Sequence, residues 1–201
     1  RFGKNKPEDG FQQLRQAFLD LWSLHLADQD QPRMHYPKIL HLQELNQNGV
    51  SLASLGMYDL ALSSYKKTLA IFPNNSIVYL NVGRAFSSKG NMDAAEKAFK
   101  KALHLNPNMA EAYVDIGDLY KTTGRLQEAE QAYRKAINLD PGLVTAYQNI
   151  CVVLSETERH QEAVNLIQQA IEKEPMNSNS YFTLAVVLEK AGNYQSSINS
   201  Y

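Results

Sequence analysis

The chain has 201 residues, 44% of them hydrophobic, with 20 basic and 21 acidic side chains and a formal net charge of −1. That balance excludes a sequence-wide electrostatic pull toward nucleic acid or an anionic membrane, and no apolar run approaches the roughly 18 residues that cross a bilayer. The single cysteine, Cys151, excludes an internal disulfide and fits a reducing, cytoplasmic setting.

Residues 1–10 are polar with glycine and proline and read as a tail. Phe11 to Ala27 then carries helical apolar spacing, with Phe11, Leu14, Phe18, Leu21, Trp22 and His25 on one face and Asp9 placed as N-cap. This stretch is expected to be a capping helix. A polar connection containing Pro32 follows, and Pro37 suits the first turn of the next helix, where its missing N–H costs nothing. Residues 1–41 are thus tail, capping helix and linker.

From Leu42 onward one pattern returns. Pro73, Pro107, Pro141 and Pro175 stand 34 residues apart, a period that means a stacked array of helical hairpins and an all-α solenoid. With the proline set at position 32, the repeats are 42–75, 76–109, 110–143, 144–177 and a truncated 178–201. Position 8 reads Gly49, Gly83, Gly117, Cys151, Ala185; position 20 reads Ala61, Ala95, Ala129, Ala163, Ser197; position 27 reads Thr68, Ala102, Ala136, Ala170. Such places must stay small where two helices cross closely in a dense interior. Large residues fall between them: Leu45, Tyr79, Tyr113, Tyr147 and Tyr181 at position 4, Leu52, Phe86, Tyr120, Leu154 and Leu188 at position 11, and Tyr65, Phe99, Tyr133, Ile167 and Tyr201 at position 24. Gly56, Gly90, Gly124 and Gly192 at position 15 supply a left-handed cap to the first helix. Glu158 holds that place in the fourth repeat, so a different turn is expected there. Asn48 replaces the apolar residue that Val82, Ile116, Ile150 and Leu184 provide elsewhere, which marks the first repeat as atypical. The chain opens on Arg1 and stops within a repeat, so it reads as a segment of a longer protein, and a signal peptide ahead of it stays open.

Chemistry has little foothold. His25, His35, His41, His104 and His160 are scattered, and none of their spacings makes a zinc motif. Cys151 sits at a small packing position rather than in a nucleophile's setting. No phosphate-binding or nucleophile-elbow motif is present. No catalytic residue, metal or cofactor is expected.

Small residues at positions 8, 20 and 27, aromatic residues at 4, 11 and 24, and proline at 32 resemble the tetratricopeptide repeat (TPR) family over Leu42–Tyr201. The resemblance implies antiparallel helix pairs stacked into a right-handed superhelix, with the first helix of each pair lining a concave groove. Carried onto this sequence, the groove residues are Gln47, Asn81, Arg84, Asp115, Asp118, Lys121, Asn149, Glu156 and Thr183. Asn81 and Asn149, with Gln47, Asp115 and Thr183 as partial replacements, resemble the amide ladder of O-linked N-acetylglucosamine transferases. One amide per repeat can hold the N–H and C=O of an extended peptide. The family's other mode, a basic clamp for a terminal carboxylate, does not fit: Asn46, Val50, Glu111 and Asp115 stand where it needs Lys, Asn, Lys and Arg. The expected function is a scaffold binding a peptide or partner domain in its groove, with a basic ligand residue placed against Asp115 and Asp118. The alternative is the substrate-recruiting region of a larger enzyme such as a glycosyltransferase. Self-association through exposed end repeats is a further expectation; nucleic acid and membrane are not expected partners.

Overall fold

The computed structural model describes the backbone of residues 36–192 and the side chains of residues 44–192. The capping helix expected over residues 11–27 and the second helix of the last repeat lie outside the described residues. The chain divides into two compact units, Arg1–Glu44 and Leu45–Tyr201, and all but the first three residues of the repeat frame belong to the second. Among the described residues there are nine helices and no strand: α1 (Tyr36–Ser54), α2 (Tyr58–Ile71), α3 (Ser76–Ser88), α4 (Met92–Leu105), α5 (Ala110–Thr122), α6 (Leu126–Leu139), α7 (Val144–Glu156), α8 (His160–Lys173) and α9 (Ser178–Lys190). Helix α1 has 19 residues against 13 in α3, α5, α7 and α9; it starts at Tyr36, ahead of the repeat frame, with Pro37 in its first turn. From α2 on, each helix packs on the next, and α3 touches α5, α5 touches α7, and α7 touches α9, so the first helices form a continuous row.

The closeness of each pair follows from its glycine. A Cβ on Gly49, Gly83 or Gly117 would stand 2.4, 2.4 or 2.6 Å from a ring carbon of Tyr65, Phe99 or Tyr133. No real side chain survives that contact, so the ring lies directly on backbone. Burying each ring contributes roughly 1.5–3 kcal/mol. The alanines at positions 20 and 27 lie wholly buried beside these rings. In the fourth pair the glycine is replaced by Cys151 and the ring by Ile167, both fully buried. The thiol donates to the carbonyl of Ala163 at 3.2 Å, and burial pushes its pKa up to about 12. It is a packing residue.

Helices α1, α3, α5 and α7 each close with two bonds that satisfy their last carbonyls. Gly90 N–H donates to Ser87 O and Asn91 N–H to Phe86 O, both at 2.9 Å; Gly124 and Arg125 repeat the arrangement at 3.0 and 2.8 Å. The fourth repeat does not use the different turn expected of it. Glu158 takes the same left-handed conformation, φ 60°, and Glu158 and Arg159 donate to Ser155 O and Leu154 O at 3.3 and 2.8 Å. The packing on either side dictates the turn, and a non-glycine residue accepts the strain. The second helices stop where proline disfavours helical backbone in its predecessor: Phe72, Asn106, Asp140 and Glu174 have φ between −126° and −139°. In the atypical first repeat, Asn48 donates to the buried Ser64 hydroxyl at 3.4 Å. The departure from apolar character is therefore shared by two contacting positions.

Ion pairs tie successive second helices together. Arg125, just before α6, reaches Glu96 of α4 at 2.7 Å and Glu128 at 2.5 Å, with its guanidinium 4.1 Å from the centre of the Tyr120 ring. One repeat later Arg159 bridges Glu130 and Glu162 at 2.6 and 2.5 Å, and Arg134 also grips Glu162.

Two outcomes are expected. Glu158→Gly should raise the unfolding free energy by roughly 1 kcal/mol in a urea titration, because the left-handed conformation then carries no Cβ strain. The hydrogen bond from Arg125 holds Glu96 at a pKa of about 2, well below the usual 4.5. With the folded value depressed, the stabilisation is complete above the unfolded pKa and is lost as pH falls toward about 2. The melting temperature of Glu96→Gln should therefore fall less steeply than that of the parent protein over this acid range. Parallel curves would show that Glu96 does not carry the effect.

Candidate functional site

The row of first helices presents one open cavity of about 440 Å³, lined by Arg84 of α3, by Glu111, Val114, Asp115 and Asp118 of α5, by Leu143 in the turn, and by Thr145, Gln148 and Asn149 of α7. The helical period explains the grouping: 111, 114, 115 and 118 share one face of α5, and 145, 148 and 149 share one face of α7. Of the residues expected from sequence, Arg84, Asp115, Asp118 and Asn149 come together here. Lys121 joins through Asp118, 3.2 Å away. Glu156 is exposed on the last turn of α7, and its charge contributes to the raised pKa of Tyr133. Gln47 and Thr183, toward the two ends of the row, do not line the cavity, and Thr183 donates back to the Asn179 carbonyl of its own helix at 2.8 Å. Asn81 sits one turn before Arg84 and has no side-chain hydrogen-bond partner among the described residues.

The charges are matched from within. Arg84 Nε donates to Asp115 Oδ2 at 2.6 Å and Arg84 Nη2 to Glu111 Oε2 at 3.4 Å. Burial pushes the Asp115 pKa up, and the Arg84 charge opposes that rise. Asp118 Oδ1 accepts three donors: the Tyr133 hydroxyl at 2.6 Å, Asn149 Nδ2 at 3.0 Å and Lys121 Nζ at 3.2 Å. Desolvation and this bond to a carboxylate keep the Tyr133 phenol protonated. Asp115 and Asp118 are thus not a bare acidic patch, and a basic ligand residue would have to compete with Arg84 and Lys121.

The residues expected from sequence leave out Glu111, Val114, Thr145 and Gln148, which line the cavity from α5 and α7. They also leave out Leu143, which falls in the turn outside the first-helix frame, and Tyr133, which is assigned to packing although its hydroxyl reaches Asp118 in the groove. A signal existed for Val114 and for Gln148, whose position reads Asn46, Leu80, Val114, Gln148, Phe182. A position so variable in character is not tied to one role: Leu80 there is buried in the core, while Val114 and Gln148 line the cavity. Gln148 Nε2 is buried with no hydrogen-bond partner, an arrangement that costs stability unless something else accepts from it.

Asp118 also holds the fold. Asp118→Ala would strand the Tyr133 hydroxyl and the Asn149 amide, so urea unfolding should show a loss of about 1–3 kcal/mol. A change within error would mean that these donors find water instead.

A sequence profile of the tetratricopeptide repeat matches residues 47–109 and 80–144, and a second profile of the same description matches 166–199. No curated protein sequence matches the chain significantly. Among solved structures, the chain is similar to a MamA protein (24% identity, TM-score 0.67, covering 79% of this chain and 87% of that one). It is also similar to pilF of Pseudomonas aeruginosa (18%, 0.72, 80% and 73%) and to YrrB, described as a TPR protein with an unusual peptide-binding site (17%, 0.62, 78% and 80%).

Proposed function

Because the chain belongs to the tetratricopeptide repeat family, we propose that it is a protein-interaction scaffold that holds an extended peptide across α3, α5 and α7. The observation that carries this reading is the cavity itself, which crosses three first helices and offers both donors and acceptors around an unpartnered amide, Gln148 Nε2. A peptide backbone presents a carbonyl and an N–H at every residue, and primary amides answer both. Gln148 donates to a backbone carbonyl, while Asn81 and the Asn149 side-chain oxygen serve the neighbouring groups. The ladder is therefore shifted from the expected series: Asn149 spends one N–H on Asp118, and Gln148 takes over part of its role. Val114 and Leu143 offer apolar contact to one aliphatic ligand side chain. Glu111, 69% exposed, is the carboxylate open to a basic ligand residue, whereas Asp115 and Asp118 serve their internal partners. The peptide-binding site attributed to YrrB supports this use of the fold.

The test starts from peptides selected on an array with the intact protein and proceeds by fluorescence anisotropy. Asn81→Ala/Gln148→Ala should weaken a groove ligand by about fivefold or more, the equivalent of roughly 1 kcal/mol, with circular dichroism unchanged. Equal affinity for parent and variant would place the ligand elsewhere.

A further inference from the structure

We propose that the joint between the first and second helix pairs is a built-in weak point, at which α1–α2 opens as a unit while α3–α8 stays folded. Three observations coincide there. The core that joins α2 to α3 is a small one of its own: among the described residues Ala61 and Tyr65 of α2 cluster with Val78 and Ala85 of α3, apart from the larger cluster that runs from Leu80 to Val187. The buried apolar side chains of α5, and those of α7 apart from Ala146, belong to the larger cluster.

The ion-pair ladder stops at the same joint. Where Glu96 and Glu130 reach forward, the first repeat has Leu62; where Arg125 and Arg159 reach back, the second has Asn91; where Glu128 and Glu162 complete the bridge, it has Ala94. All three positions have lost their charge together. Among the described residues the pair left between α2 and the end of α3 is Lys89 to Asp59, with Asp59 81% exposed. An ion pair so open to water contributes little.

A groove of about 400 Å³ occupies the vacated place, floored by Leu62, Leu69, Val82 and Phe86 and edged by Asp59, Ser63 and Lys66. Apolar surface that a well-packed joint would cover is left facing solvent. In a repeat array stability is carried by neighbour interfaces, and an interface joined only by a small separate core and lacking the ladder opens at lower free energy than its neighbours, as a cooperative unit.

Native-state hydrogen exchange on the whole chain, read by mass spectrometry against low urea, tests this directly. Peptides from residues 45–71 should share one opening, at least about tenfold more frequent than that of residues 110–173, with a step between α2 and α3. A second arm rebuilds the ladder: Leu62→Glu/Asn91→Arg/Ala94→Glu should slow exchange across all of α1–α2 by about fivefold and leave α5–α8 unchanged. A common opening for α1–α8, or a smooth gradient from the first helix inward with α3 as labile as α2, would overturn the proposal. So would a folded triple variant with unaltered exchange in α1–α2.

Discussion

Phe99 lies on the backbone of Gly83 with no side chain between them, and that contact sets how near the two helices of a pair can come. Tyr65 on Gly49 and Tyr133 on Gly117 repeat it. The alanines that follow on the second helix are small because the axes are already that close, and the ring is large because it must fill what the glycine leaves. The row of first helices that carries the groove inherits its spacing from these contacts. The same rings link core to site: Tyr133 is buried by its fit to Gly117, and the tip of the same side chain donates to Asp118 in the groove.

Most of this fold can be read from the sequence because each element repeats with its own local cause. Proline ends a second helix by excluding helical backbone from the residue before it, and glycine closes a first helix by accepting a positive φ. Glu158 shows where such reasoning stops. Residue preference argues for a different turn at that place, but the two bonds that satisfy the last carbonyls of α7, and the packing of α7 and α8 around them, outweigh a local strain of roughly 1–2 kcal/mol. The pairing of Asn48 with Ser64 likewise depends on a partner that a repeat frame does not name.

The site is less legible than the fold. Position within a repeat tells which side chains face the groove, and Arg84, Asp115, Asp118 and Asn149 do meet at one cavity. It does not tell which of them are already engaged. Asp118 looks like a free carboxylate in the sequence and is instead the acceptor for three donors drawn from α5, α6 and α7. Gln148 looks like one more polar surface residue and instead carries a buried amide nitrogen without a partner. Sequence supplies the direction of a side chain; its saturation depends largely on neighbours in other helices.

The exchange of Gly for Cys151 and of an aromatic ring for Ile167 also bears on how such an array can be lengthened or recombined. A helix carrying Tyr133 set against α7 would drive its ring into the thiol, and α8 set against α5 would leave a void over Gly117. Single helices are therefore not portable between repeats, although they look alike in outline. The portable block is the helix pair with its matched contact, and the natural seams for grafting lie at Pro107, Pro141 and Pro175, between one matched contact and the next.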